Sequence, residues 1–198
     1  SRENDLAKRI MKEGERIADI VRSLLSFARA DGRKEKKSPV YIHEILSDTL
    51  TLTDAQIRKD GIILKLNVPP ELPKVIANPH QIQQVFLNIV SNARYALNQK
   101  YREAHDNKIL EIFGEKIVLD NCPYVRVIFY DHGVGIPADI MNKIMNPFFT
   151  TKPAGKGTGL GLSISHGIIS EHGGKLVIDS TEGEVTKVAV VLPAMVQS

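Results

Sequence analysis

With 198 residues, 42% of them hydrophobic and 25% charged, the chain has room for one packed domain of ordinary size plus a helical appendage. A net charge of +3 is too small to argue for nucleic acid or a membrane surface as a partner. The single cysteine, Cys122, excludes an internal disulfide, which suits a reducing compartment, and no apolar run reaches the ~18 residues of a membrane span.

In chain order, residues 5–30 read as one helix. Ile10, Gly14, Ile17, Val21, Leu24 and Ala28 step by four and three, which is a heptad seam. One such helix cannot bury its seam alone. It needs a missing neighbour or a second copy of itself, unless it packs on its own domain. Residues 31–38, with Gly32 and a run of charges ahead of Pro39, read as a linker. The chain opens at Ser1 already in helical register, so it is expected to be cut from a longer protein, whether membrane-anchored or not.

From Pro39 a compact domain is expected. Val40-Tyr41-Ile42 reads as a short strand, 43–60 as a helix stopping at Asp60-Gly61, Ile62 to Val68 as a strand, and Val75-Ile76-Ala77 as a very short one. A long helix follows over about 79–100. Asn78 supplies its N-cap and Pro79 its first turn. Its apolar face is bordered by a polar stripe of Gln81, Asn88, Asn92 and Tyr95. Two asparagines one turn apart at a core border either bond to neighbouring backbone or offer an amide oxygen to Mg²⁺, which needs few protein ligands when phosphates and waters complete its shell. Strands over 108–119 and 124–130 are expected to form a hairpin about Asp120-Asn121-Cys122-Pro123. The second runs into Asp131-His132-Gly133-Val134-Gly135-Ile136. Asp131 there either holds the amine of a base or merely ends a strand. Residues 138–158 are expected to be a mobile lid, anchored by Phe148 and Phe149. Gly155, Gly157, Gly159 and Gly161 then alternate into a helix that reaches His172 and stops at Gly173-Gly174. A glycine loop feeding a helix N-terminus suits phosphate, although it also describes an ordinary flexible loop. Residues 175–179 and 187–192 close the chain as a second hairpin. Helices grouped on one face of a mixed or mostly antiparallel sheet make an α+β, two-layer α/β sandwich.

Four motifs, in this order, carry a resemblance. Gln84-Val85-Phe86-Leu87-Asn88-Ile89-Val90-Ser91-Asn92-Ala93 resembles the N box, and Asp131-His132-Gly133-Val134-Gly135-Ile136 the G1 box. Pro147-Phe148-Phe149-Thr150-Thr151-Lys152 resembles the F box, and Gly157-Thr158-Gly159-Leu160-Gly161-Leu162-Ser163 the G2 box. Together they resemble the ATP-binding catalytic domain of sensor histidine kinases, nitrogen-regulator-type in particular. These belong to the wider group with the Bergerat ATP-binding fold, which includes gyrase-type and heat-shock-chaperone ATPases. The resemblance covers about 39–194. Residues 1–30 resemble the second helix of the dimerisation and phosphotransfer hairpin, long and coiled-coil-like. The implied domains are that helix at 1–30, the linker at 31–38 and the ATP-binding domain at 39–198.

The resemblance implies ATP and Mg²⁺ as cofactors. It implies that Asn92 ligates Mg²⁺ with Asn88 beside the phosphates, and that Asp131 accepts from the adenine amino group. Gly133 and Gly135 let the ring approach and Ile136 walls it. Backbone N–H groups of Gly157, Thr158, Gly159, Leu160 and Gly161 face the phosphates. Lys152 and Lys156 either touch the γ-phosphate or are solvated loop lysines. Many members carry Lys where Tyr95 stands, so a phosphate cation is expected to be missing there. A glycine of the pattern is replaced by Val185, next to Thr186, another implied contact. Asn88 and Lys152 are the implied catalytic positions. Hydrolysing relatives have Glu in place of Asn88, and an amide is no general base, so transfer is favoured over hydrolysis. No histidine occurs in 1–42, so the acceptor histidine is expected outside this chain. The implied partners are a second copy through the N-terminal helix and a response-regulator receiver domain, at work in the cytoplasm, with no nucleic acid and no membrane contact by this fragment. A hydrolase-type ATPase and a binding module that has lost nucleotide are the alternatives.

Overall fold

The computed structural model describes residues 2–32, 36–153 and 156–196. Part of the expected linker (33–35), Gly155 of the glycine run and the side chain of Ala28 in the seam lie outside the described residues. Helix α1 (Arg2–Gly32) leads to strand β1 (Ser38–Val40), helix α2 (Ile42–Lys59), strands β2 (Ile63–Asn67) and β3 (Val75–Ala77), and helix α3 (Pro79–Lys100). Strands β4 (Ile109–Leu119) and β5 (Cys122–Asp131), helix α4 (Gly161–Glu171) and strands β6 (Lys175–Thr181) and β7 (Val185–Pro193) complete the order. Five strands form one sheet in the order β2-β4-β5-β7-β6. Only the β2–β4 pairing is parallel, while β1 and β3 make a separate antiparallel pair.

Alternation along the strands decides where the core lies. Leu110 and Ile112 of β4, Val125, Val127 and Phe129 of β5, and Val188, Val190 and Leu192 of β7 all point to one face and are buried. Helices α2, α3 and α4 cover that face with Ile45, Ile57, Phe86, Ile89, Ile164 and Ile168 among others, so the structure is the two-layer α+β sandwich expected. Phe86 and Phe129 meet across the layers with ring centroids 5.3 Å apart. On the opposite face Arg126 and Glu115, partners in register, form an ion pair.

Helix α1 begins three residues before the expected start; the other element boundaries agree with the sequence within two residues, and two of the small shifts have a clear cause. The expected strand Val40-Tyr41-Ile42 sits earlier, because β1 pairs Val40 with Val75 and Ile42 already buries itself as the first residue of α2. The β4–β5 hairpin is also tighter than expected. Asp120 (φ 47°) and Asn121 (φ 61°) alone make the turn, as a two-residue left-handed loop requires, and Cys122 and Pro123 belong to β5.

The start of α3 is fixed as its sequence predicts: Asn78 Oδ1 accepts from the N–H groups of His80 and Gln81. A second tie was not legible. The backbone N–H of Asn78 donates to Nε2 of buried His172, 3.1 Å away, while Nδ1 of the same ring lies 2.7 Å from the Ile168 carbonyl oxygen. Both contacts require a neutral ring with its proton on Nδ1. Burial, foremost, holds the His172 pKa below its ordinary 6.5. Its stabilising effect is therefore full above pH 6.5 and is lost as pH falls from there towards the lowered native value. Thermal melts should show the parent losing stability below pH 6.5 more steeply than His172→Gln.

Helix α1 behaves differently from the rest. The seam residues Ile10, Ile17, Val21 and Leu24 are 45–65% exposed, whereas Ile20, off the seam, packs against the domain core. The seam is therefore not covered by the chain's own domain. No described helix is long and apolar enough to cross a membrane.

Candidate functional site

The same alternation that builds the core delivers a carboxylate to its end. Asp131 follows Phe129 by two residues and therefore stands on the helix-facing side, in register with Leu110 and Thr186. It is buried, with Oδ1 accepting from the Gly133 N–H at 3.0 Å. Burial pushes its carboxyl up to about 7, against the lowering effects of that hydrogen bond and of Lys100. Beside it opens a cavity of about 750 Å³. Helix α3 lines one wall with Asn88, Asn92, Tyr95 and Gln99. The segments before and within the glycine run line the other with Phe149, Lys152, Lys156 and Thr158.

The polar stripe of α3 is thus explained, from Asn88 on, by a cavity rather than by core, while Gln81 at its start does not line it. Asn88 Nδ2 donates to the Gly161 carbonyl (3.3 Å) and lies 3.2 Å from Ser165 Oγ, so its amide nitrogen is committed to α4. Asn92 Oδ1 accepts from Lys152 Nζ at 2.8 Å. That same ammonium lies 4.8 Å from the centroid of the Tyr95 ring, whose hydroxyl accepts from Gln99 Nε2 at 3.0 Å. Lys152 is therefore not a solvated loop lysine, and burial lowers its pKa. Lys156 does stay exposed at the rim. Arg94 turns the other way, to the Asp60 carboxylate at 2.7 and 2.9 Å.

Several glycines serve the protein before any ligand. A Cβ on Gly133 would stand 2.6 Å from Asp131 Oδ1 and 2.7 Å from the Ala96 Cβ of α3, so this glycine admits a helix rather than a ring. On Gly135 (φ +68°) it would meet the Thr181 carbonyl oxygen at 2.1 Å, which marks a close approach of the β6–β7 hairpin. That hairpin pins the loop, since Gly183 N–H donates to Val134 O at 2.6 Å and Ile136 N–H to Ser180 Oγ at 2.8 Å. Ile136 and Thr186 both line the cavity, Thr186 with its hydroxyl 2.9 Å from that of Ser180. Gly159 (φ +70°) gives way to the backbone of Phe148, itself at φ +67°. Leu160 departs from expectation. Its side chain is core, and its N–H donates to Thr158 Oγ1 at 3.3 Å, so that group is not open to a phosphate. Helix α4 begins at Gly161 with no side-chain cap, and Gly161 itself lines the cavity. An uncapped N-terminus carries orphan N–H groups and the positive end of the helix dipole. The segment between Pro137 and Phe149 is a chain of hydrogen-bonded turns, with Ile140 and Ile144 facing the cavity.

Compared with known proteins, residues 77–195 match the family model described as histidine kinase-, DNA gyrase B- and HSP90-like ATPase. The chain belongs to this ATPase family. Within it, the chain is similar to the catalytic domain of the histidine kinase ThkA, at 32% identity with a TM-score of 0.66, covering 80% of this chain and 96% of that one. It is 36% identical to the sensor kinase CckA of Brucella abortus over 95% of its length and 20% of that protein's. To the sensory histidine kinase/phosphatase NtrB of Rhizobium leguminosarum it is 34% identical, over 96% of this chain and 49% of that one. The chain thus spans between a fifth and a half of these two curated relatives, and it corresponds to the ATP-binding catalytic part of a histidine kinase.

Within this family frame, sequence reasoning missed Gln99, Thr151 and Glu182, which also line the cavity. Gln99 was within reach, since it extends the stripe of Asn92 and Tyr95 by one more turn. Glu182 sits in the β6–β7 turn and reaches the site only through the tertiary fold.

Proposed function

We propose that this chain binds Mg-ATP in the cavity beside Asp131 and passes the γ-phosphoryl group to a histidine outside residues 1–198, from which it goes to an aspartate of a response-regulator receiver domain. The observation that carries this is the convergence, on one cavity, of a buried carboxylate at one end and the uncapped N-terminus of α4 with Asn88, Asn92 and Lys152 at the other. A nucleotide has the same polarity: a base with an amino donor, then an anion. A volume of about 750 Å³ lies within the range of roughly 300–1,000 Å³ usual for small-molecule sites.

In this assignment Asp131 accepts from the adenine amino group, Ile136 walls the ring, and Thr186 lies beside Asp131. Asn88 and Asn92 face the phosphates, together with Tyr95, Lys152, Lys156 and the backbone of Gly157, Thr158, Gly159 and Gly161. Gly133 and Gly135 hold the loop that presents Asp131. Asn92 is the residue suited to Mg²⁺, because its amide oxygen already accepts from a cation, the Lys152 ammonium. Among the described residues no group of three or more His, Cys, Asp or Glu could hold a metal, so Mg²⁺ would come with the phosphates, for which one amide ligand is enough. The bound ion neutralises phosphate charge. The chain's own residues position the nucleotide and exclude water.

Transfer is favoured over hydrolysis by Asn88. Its nitrogen is engaged with Gly161 O, and an amide does not take a proton from water. The uncovered seam of α1 supports a homodimer through the N-terminal helix, with 1–30 as the dimerising element, 31–38 as linker and 39–198 as the catalytic domain. We place this work in the cytoplasm, where ATP is available, with no nucleic acid or membrane surface as a partner of this part. With γ-labelled ATP and Mg²⁺, the chain alone should retain no stable label and release little free phosphate. Substantial turnover would favour the hydrolase alternative, and stable label on the chain would contradict an acceptor outside it.

A further inference from the structure

We propose that Tyr95 is a positioning residue whose ring holds the Lys152 ammonium at Asn92, so that the cation facing the phosphates is delivered by the segment before the glycine run instead of by α3. The inference rests on the nucleotide assignment for its consequences, but not for its geometry.

Lys152 is held at three levels. Its backbone N–H donates to Thr150 Oγ1 at 3.1 Å. Its stem runs against Gly157, where an added Cβ would stand 2.9 Å from Lys152 Cδ. Its ammonium bonds to Asn92 Oδ1 at 2.8 Å and lies 4.8 Å from the Tyr95 ring centroid, the distance of a cation held by an aromatic face. Asn92, Tyr95 and Gln99 are spaced i, i+3 and i+7 on α3 and so share one side of the helix. Gln99 donates to the Tyr95 hydroxyl, on the far side of the ring from its attachment to α3. A half-buried ammonium with one hydrogen-bond acceptor among the described residues needs further compensation, and the ring face supplies it without adding a negative charge that would repel a polyphosphate. A carboxylate at 95 would hold the lysine as well, but would work against the anion.

The consequence is a coupled pair. Tyr95→Ala should weaken ATP binding by about 3- to 30-fold, the range of a cation–aromatic contact, and leave adenosine within about twofold. Lys152→Met should do the same, and the double variant should lose no more than the larger single loss, because both remove one interaction. Tyr95→Phe keeps the ring and should restore ATP affinity. Independently of any nucleotide, the Lys152 Hε protons should resonate upfield in the parent and in Tyr95→Phe, and return to the ordinary lysine position in Tyr95→Ala. An unshifted Lys152 resonance in the parent, or losses in the two single variants that add in full, would overturn the proposal. If the parent bound neither ATP nor adenosine, the nucleotide assignment would fail while the Lys152 shift still decided whether Tyr95 holds the lysine.

Discussion

Asparagine in place of Asp131 will lower ATP affinity by roughly 10- to 100-fold, the loss of one charge-assisted hydrogen bond, and at neutral to alkaline pH it will make the protein more stable. The carboxylate lies at the end of the buried row that runs through Phe129 and is held there by the Gly133 N–H. Burial raises its pKa from 3.8 to about 7. The sign of the stability effect follows from linkage. With the native value above the unfolded one, Asp131's contribution is greatest below pH 3.8, falls as pH rises towards 7, and stays at its lowest above that. The neutral amide is free of this penalty, so at pH 8 Asp131→Asn should melt higher, by a gain on the order of a few kcal/mol. ATP binding runs opposite, because the adenine amino group needs the ionised acceptor. Affinity of the parent should therefore fall below pH 7, by up to about tenfold per pH unit, and that dependence should vanish in the variant. Melting curves and titrations across pH 5–8 check both halves. A variant that melted lower and bound ATP unchanged would refute this role for Asp131.

The second large effect is expected at Asn92. Asn92→Ala should abolish the Mg²⁺ dependence of ATP binding, whereas Lys152→Met should weaken binding with and without Mg²⁺ and keep the response to the ion. The two residues touch, at 2.8 Å, but do different work: one offers an oxygen to a cation, the other is a cation. For the parent, adding Mg²⁺ should tighten ATP binding by about tenfold or more, on the scale of a charge-assisted contact. Adenosine, which has no phosphate, should bind both variants like the parent. An Asn92→Ala variant that still responded to Mg²⁺ would assign the ion's ligand elsewhere.

Much of this was visible in the sequence because local patterns carried it. Asn78-Pro79 marked the start of α3, the apolar period marked its buried face, and Asn88 and Asn92 marked the one side that departs from that period. Asp131 stood out as a carboxylate at a strand end, running into Gly133 and Gly135. What was not visible depends on residues distant in sequence. An ammonium does stand against Tyr95, but it belongs to Lys152, 60 residues beyond Asn92, and nothing local pairs them. The motifs cast Gly133 as room for a ring and Gly159 as a phosphate donor, and the fold shows that each also makes room for protein, for Ala96 and for the Phe148 backbone. Leu160 looks like a phosphate donor because it sits in a glycine run, yet its apolar side chain belongs to the core and its N–H to Thr158. The same composition serves a close protein contact and a close ligand contact, so only the fold separates them.

Equilibrium titration of the chain with ATP, with and without Mg²⁺, tests most directly whether the cavity beside Asp131 is a live site for Mg-ATP. Saturable one-to-one binding is expected, tightened by Mg²⁺ and strongly weakened by Asp131→Asn. Absence of binding by the parent chain under both conditions would contradict it, and would leave a family fold that has lost its nucleotide.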